Sequence, residues 1–235
     1  MSNPQVETGN STVNLTDPKP KAGLKCSDII LIAINCVNHI LILLVTGYIM
    51  YLTVKPFNTF DRHVLFCTIG YVLLMAEATV ILAGENVWTI CLTRRGNSHL
   101  HWILQLIGAA SIIYGVYVVY DVKRVHFNSQ HGITGLTSVV LMIVSIVLGV
   151  PALFAARLRR TVKPVVSKFI HNLLGISCFV VGIASQIMGY ELNWMKARVP
   201  DEVILLFIIA TVMVTVFSLI GALRSLWGQL LGLCR

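Results

Sequence analysis

The sequence is short of charge, and shorter still of acid. Only 12% of its 235 residues are Asp, Glu, Lys or Arg, and ten are acidic, against about a quarter charged in an ordinary soluble domain. No polar stretch is long enough to form a separate soluble domain, and no short-period repeat is present. The six cysteines (Cys26, Cys36, Cys67, Cys91, Cys178 and Cys234) form no C-x-x-C pair and lie mostly in apolar runs, which argues against a disulfide framework and against a zinc ribbon. Residues 1–25 are polar, carry Pro4, Pro18 and Pro20 and contain no apolar core. No cleavable secretory signal is expected there, and the first apolar run must act as its own anchor. No lipidation motif or K-D-E-L address is visible.

What the chain has instead is hydrophobic residues, 56% of the total, with a mean hydropathy of +0.81. Crossing about 30 Å of hydrocarbon takes roughly 20 apolar residues, and six runs qualify: 29–51, 63–83, 100–120, 131–153, 169–188 and 203–223. The expected fold is all-α, an integral membrane protein of six transmembrane helices. A disordered tail over 1–25 and a short tail over 226–235 would flank a membrane domain over 26–225. The net charge of +8 does not point to nucleic acid, because the basic residues sit in short clusters between apolar runs, where they set topology. With the N-terminal tail inside, 12 of the 18 Lys and Arg fall on the inner side and six (Lys55, Arg62, Lys123, Arg124, Lys196, Arg198) outside. Both termini are therefore expected in the cytoplasm. The sequons at Asn10 and Asn14 oppose this, and glycans on either would invert the orientation.

A stripe of small residues headed by a histidine marks the fourth run: His131, Gly135, Ser138, Met142, Ser145 and Gly149 follow at steps of three or four, one face of a helix. The fifth repeats it with His171, Gly175, Cys178, Gly182, Ser185 and Gly189. Noisier versions run from His101 through Gln105, Gly108, Ile112 and Gly115, and from His63 through Cys67, Gly70, Leu74 and Glu77. Each histidine lies near the start of its span and successive spans alternate in direction. His63 and His131 therefore fall near the outer face, His101 and His171 near the inner. Fourteen residues of helix separate the two levels, about 20 Å at 1.5 Å per residue.

Two histidines at each level, in a dry slot lined by small residues, are too few for zinc, which takes four ligands. They suit haem iron, whose porphyrin leaves two axial positions. The absence of C-x-x-C-H points to non-covalent haem. With both axial positions filled, the chemistry is electron transfer. Against this stands the plain reading, in which an intramembrane histidine only hydrogen-bonds a neighbouring helix.

His99 is about 200° round the helix from His101. It cannot share the slot, but near Arg95 it could touch an anionic donor. His126, five residues before His131 and beside Asn128, could line an outer substrate site. His39, mid-span beside Asn35 and Asn38, reads as an interhelical hydrogen bond with no partner evident at its depth. Glu77, costly if charged and unpaired in a membrane, should pair with a basic group or a haem-side donor, or be protonated.

The segments His101-Trp102-x-Leu104-Gln105, Gln130-His131-Gly132 with Gly135, and His171 with Gly175 resemble motifs of the third, fourth and fifth helices of the cytochrome b561 family. His63 fills the second-helix position, and Met75-x-Glu77-Ala78 is similar to a motif of one vertebrate subgroup. The resemblance spans about residues 26–225. It implies two haems b in a four-helix core of helices two to five, paired two with four and three with five. It also implies ascorbate as cytosolic donor, and monodehydroascorbate or ferric iron as acceptor across the membrane. Val64 stands where the subgroup tends to have proline. Arg94, Arg95 and His99 stand where many relatives place lysines. Arg94, Arg95, Arg159 and Lys168 are candidate attractors of the donor. The implied setting is an endomembrane, endoplasmic reticulum or vesicle, with a homodimer possible. A histidine-lined metal permease and a tetraspan-like structural protein are the competing classes.

Overall fold

A computed structural model describes residues 26–55, 57–83, 86–154, 157, 160 and 163–234. Residues 1–25, with both sequons, lie outside the described residues. Six long helices account for the apolar runs: α1 (Cys26–Thr53), α2 (Thr59–Val80), α3 (Arg94–Val122), α4 (Gln130–Leu153), α5 (Pro164–Tyr190) and α6 (Asp201–Leu233), each long and apolar enough to cross a membrane. Side chains on their outer surfaces are mostly Leu, Ile and Val, as a lipid-facing bundle requires.

The helix starts are written locally. Asn58 caps α2 in a capping box with Asp61, Thr93 caps α3 through the Gly96 N–H, and Ser129 caps α4 through the Gly132 N–H. Each satisfies backbone donors that would otherwise be orphaned. Pro164 opens α5 at its first turn, where proline's missing N–H costs nothing. α6 runs ten residues past the end of its apolar run, through the segment read from sequence as a short tail. Asn172 of α5 holds it by donating to the Ala222 carbonyl and to Gln229 Oε1 at 3.1 and 3.2 Å.

α2 is not uniform. Its middle, Ile69–Met75, widens into a π-helical turn, a feature frequent at functional sites. Gly70 lies in this turn, so close to α3 that a Cβ there would sit 2.9 Å from the Gly108 carbonyl oxygen and meet Ile112 closer still. Only glycine allows the two backbones so near.

The helices pack as two tight pairs, α2 with α3 and α4 with α5, while the contact between α3 and α4 is slight. α1 and α6 close the bundle against α2 and α5. We call the end carrying the starts of α1, α3 and α5 the lower face, and the opposite end the upper face. At the upper face a buried carboxylate ties α2 to the α5–α6 connection. Asp61, fully buried, accepts Trp194 Nε1–H at 2.8 Å, Arg198 N–H at 2.9 Å and the Asn58 backbone N–H at 2.8 Å. Removing one partner strands the rest. Asp61→Ala should cost about 3 kcal/mol, the low end for a buried pair because Arg198 is partly exposed. The measurement is the thermal midpoint of the detergent-solubilised protein, and an unchanged midpoint would count against the clamp.

Candidate functional site

Four histidines project into the slot between the two helix pairs, and a single rule orients them all. His63 Nδ1–H donates to the Gly115 carbonyl of α3 at 2.7 Å, and His101 of α3 returns the bond to the Ala78 carbonyl of α2 at 2.7 Å. His131 Nδ1–H donates to Ser185 of α5 at 2.8 Å, and His171 of α5 to Ser145 of α4 at 3.0 Å. The exchange is reciprocal within each helix pair. A ring that donates from Nδ1 to a carbonyl is the neutral tautomer whose Nε2 keeps its lone pair, the form a metal takes.

The rings then meet across the slot. His63 and His131 face each other with ring centroids 5.9 Å apart and planes at 89°, His101 and His171 at 6.4 Å and 88°. These separations suit two imidazoles sharing one metal ion at about 2 Å per bond. The levels are set by α4, where His131 and the Ser145 that holds His171 are 14 residues apart, about 21 Å. Between them lies a buried polar layer: Tyr71 O–H meets Ser138 Oγ at 2.7 Å, and Ser138 Oγ–H donates to the Cys178 carbonyl at 2.9 Å.

The small stripes of α4 and α5 face one another, so their glycines clear the opposing helix and its histidine. A Cβ at Gly149 would sit 3.1 Å from His171 Cε1, and one at Gly189 3.2 Å from His131 Cε1. On the α2–α3 side, a Cβ at Gly115 would meet Cys67 Sγ at 2.9 Å.

Around the upper pair, from Cys67 and Tyr71 in the slot out to the upper face, opens a cavity of about 1200 Å³, its mouth included, lined at that mouth by Lys123, His126, Asn128 and Trp194. His126 stacks on Tyr120 with centroids 4.0 Å apart at 19°. The next residue, Phe127, takes φ 50°, a left-handed conformation uncommon for a bulky side chain and typical of functional loops. Lys123 and Trp194 at this mouth were missed from sequence, since only the fold brings the α3 end and the α5–α6 connection together.

At the lower face Arg94 and Arg95 open α3 and are exposed, as is Lys168 on α5. His99, exposed, accepts Trp102 Nε1–H at 3.0 Å on its Nδ1 and stays out of the slot. Arg159 lies outside the described residues. His39 and Glu77 find each other: Nδ1 and Oε1 are 2.7 Å apart. Their depths match although they lie at different distances along their helices. Counted from the upper loop, His39 is 14 residues down α1 from Thr53, and Glu77 18 residues down α2 from Thr59 through the widened turn.

Among the described residues no group of three or more His, Cys, Asp or Glu gathers as a bare metal site would need. Two neutral imidazoles per level, oriented by carbonyls and set in a slot, instead fit a metal that brings its own equatorial ligands. The fold defines a multi-pass, all-helical membrane protein. The model of the eukaryotic cytochrome b561 family matches residues 62–196. The chain belongs to the cytochrome b561 family, whose members are membrane proteins that bind haem b. Relatives include the human protein named transmembrane reductase CYB561D2, 26% identical over 166 residues that cover 68% of this chain and 74% of that one. The bovine protein of the same name is 26% identical over 70% of this chain and 76% of its own.

The glycine contacts can be tested directly. Gly149→Leu and Gly189→Leu should each lower the haem retained by the purified protein, since the new side chain would displace a histidine ring. Gly47→Leu should leave it unchanged, because a Cβ there meets nothing within 4 Å. Equal retention in all three would make the stripes packing alone.

Proposed function

We propose that the chain is a transmembrane oxidoreductase carrying two haems b, one held by His63 and His131 and the other by His101 and His171. Electrons pass from cytosolic ascorbate at the lower face to monodehydroascorbate or a ferric chelate at the upper face. The observation that carries this reading is the set of four Nδ1–carbonyl bonds, which presents four Nε2 lone pairs in two facing pairs. Haem held there supplies one-electron exchange with no open position for oxygen. The relatives' name, transmembrane reductase, agrees with it.

The protein's own residues do the rest. The carbonyl bonds hold each imidazole neutral and aimed, so ligation needs no rearrangement. Apolar side chains around the slot exclude water and lower the local dielectric. Arg94, Arg95 and Lys168 give the lower face a positive field that draws an anionic donor, with His99 beside them; Arg159 belongs to the same proposed group by sequence. At the upper mouth Lys123, His126 and Asn128 offer charge and hydrogen bonds to an anionic acceptor. The charge sorting places both termini, with the 1–25 segment and the end of α6, in the cytosol. An endomembrane, endoplasmic reticulum or vesicle, is the proposed location, and a homodimer is compatible with it.

The deciding measurement is the visible spectrum of the purified protein before and after ascorbate. A Soret band with an α-band that ascorbate develops is expected; no Soret band would sink the reading, and zinc or iron uptake without haem would favour a permease. His63→Ala and His131→Ala should lose the same haem, and His101→Ala and His171→Ala the other, whereas losses in crossed pairs would refute the pairing. A separate expectation concerns the donor. Arg95→Glu should raise the ascorbate concentration for half reduction severalfold with haem content intact, and an unchanged requirement would remove Arg95 from the donor site.

A further inference from the structure

The buried ionisable groups that this reading leaves unused gather where α1 meets the lower end of α2. His39, 4% exposed, has both ring nitrogens engaged: Nδ1 with Glu77 Oε1 at 2.7 Å and Nε2 with Asn86 Oδ1 at 3.2 Å. Asn86 Oδ1 also accepts the Trp88 backbone N–H at 3.0 Å, which identifies that atom as the oxygen and makes Nε2–H the donor. One proton is then left for the contact between Nδ1 and Oε1. The pair is imidazolium with carboxylate or imidazole with carboxylic acid, and neutral either way.

The Glu77 side chain keeps 22% of its surface open, and its second oxygen has room for one more proton. Asn86 Nδ2 and Thr89 Oγ1, buried in the adjoining turn, have no hydrogen-bond partner among the described residues, as polar atoms that face an internal water do. Ala78, the next residue after Glu77, carries the carbonyl that orients His101 at 2.7 Å. Charge arriving at the lower histidine pair is thus separated from this proton by a single link of backbone. Among the described residues, other ionisable groups on the elements around this corner include Cys26, Asp28 and Cys36 of α1, Arg94, Arg95, His99 and His101 of α3, and Arg224 of α6, which lines a small cavity with Asn35, Val80 and Ala83.

We propose that Glu77 and His39 form a proton site of the electron path. The pair binds one proton from lower-face water as the haem between His101 and His171 gains one electron, and releases it when that electron moves on. In the loaded state His39 is imidazolium and Glu77 a carboxylic acid, so one positive charge balances the one electron. The proposal rests on the haem reading above.

The test is a spectroelectrochemical titration of the haem-loaded full chain over a range of pH, with the lower haem identified as the one missing from His101→Ala. Its midpoint should fall as pH rises by about 59 mV per unit, the one-electron value for a tenfold change. Glu77→Gln should flatten that slope and leave the other haem's dependence alone. Redox difference infrared spectra should show a carboxylic-acid C=O band on reduction that Glu77→Gln removes. If Glu77→Gln fails to load haem, His39→Gln and the wild-type infrared band decide. A pH-independent lower midpoint, a slope that survives both substitutions, or no carboxyl band overturns the proton site. A protein with no Soret band overturns the haem reading, and the proposal with it.

Discussion

The reciprocal bonds between histidine Nδ1–H and backbone carbonyls are the constraint on which the remaining structure depends. Each bond does two things at once. It fixes a neutral tautomer with Nε2 aimed into the slot, and it ties one helix of a pair to the other at a set height. His63 and His101 lash α2 to α3 at both ends, and His131 and His171 do the same for α4 and α5. In hydrocarbon there is no hydrophobic force to bring helices together, so close packing and interhelical hydrogen bonds must do it. Here the bonds that hold the scaffold are also the ones that aim the four Nε2 lone pairs into the slot.

The glycines follow from that constraint. A histidine can donate to a carbonyl on the next helix only if the two backbones come close, and a Cβ in the wrong place would stop them. Gly115 shows both sides of this: its carbonyl accepts His63, and a side chain on it would meet Cys67 and the His63 carbonyl within 3.2 Å. Gly149 and Gly189 do the same for the rings of His171 and His131. The stripes and the histidines are one device, which explains why they share a period along each helix.

Much of this was legible in the sequence because hydropathy and helical period are local signals. The six runs gave the spans, and their alternating directions sorted four histidines into two levels that the structure brings face to face. What was not legible depends on three-dimensional register. The π-helical turn at Ile69–Met75 has no sequence signature apart from Gly70. The extension of α6 hides behind Arg224, Gly228 and Gln229, which break the hydropathy run although Asn172 holds the helix in place. His39 had no evident partner at its depth because nothing in the spacing of α1 and α2 says where the two helices stand relative to each other. The mouth of the upper cavity draws Lys123 and Trp194 from distant connections, and no spacing rule joins them.

The two ends of the bundle each hold an acid, Asp61 fully buried and Glu77 partly open, and the partners chosen make the ends different in kind. Asp61 at the upper face is matched by Arg198, whose guanidinium stays charged at any pH the protein meets. That pair is a permanent dipole which can clamp but cannot exchange. Glu77 is matched by His39, a residue type that can gain and lose a proton. An open cavity surrounds the upper histidines and reaches the upper face. Glu77 and His39 sit at the lower end of α2, the carboxylate partly open and the imidazole buried, where a charge added nearby is costly unless opposite charge lies close by. In the proposed electron path, a pair able to exchange a proton therefore lies beside the lower histidines and a clamped pair near the upper ones, so the two ends would answer an added charge differently.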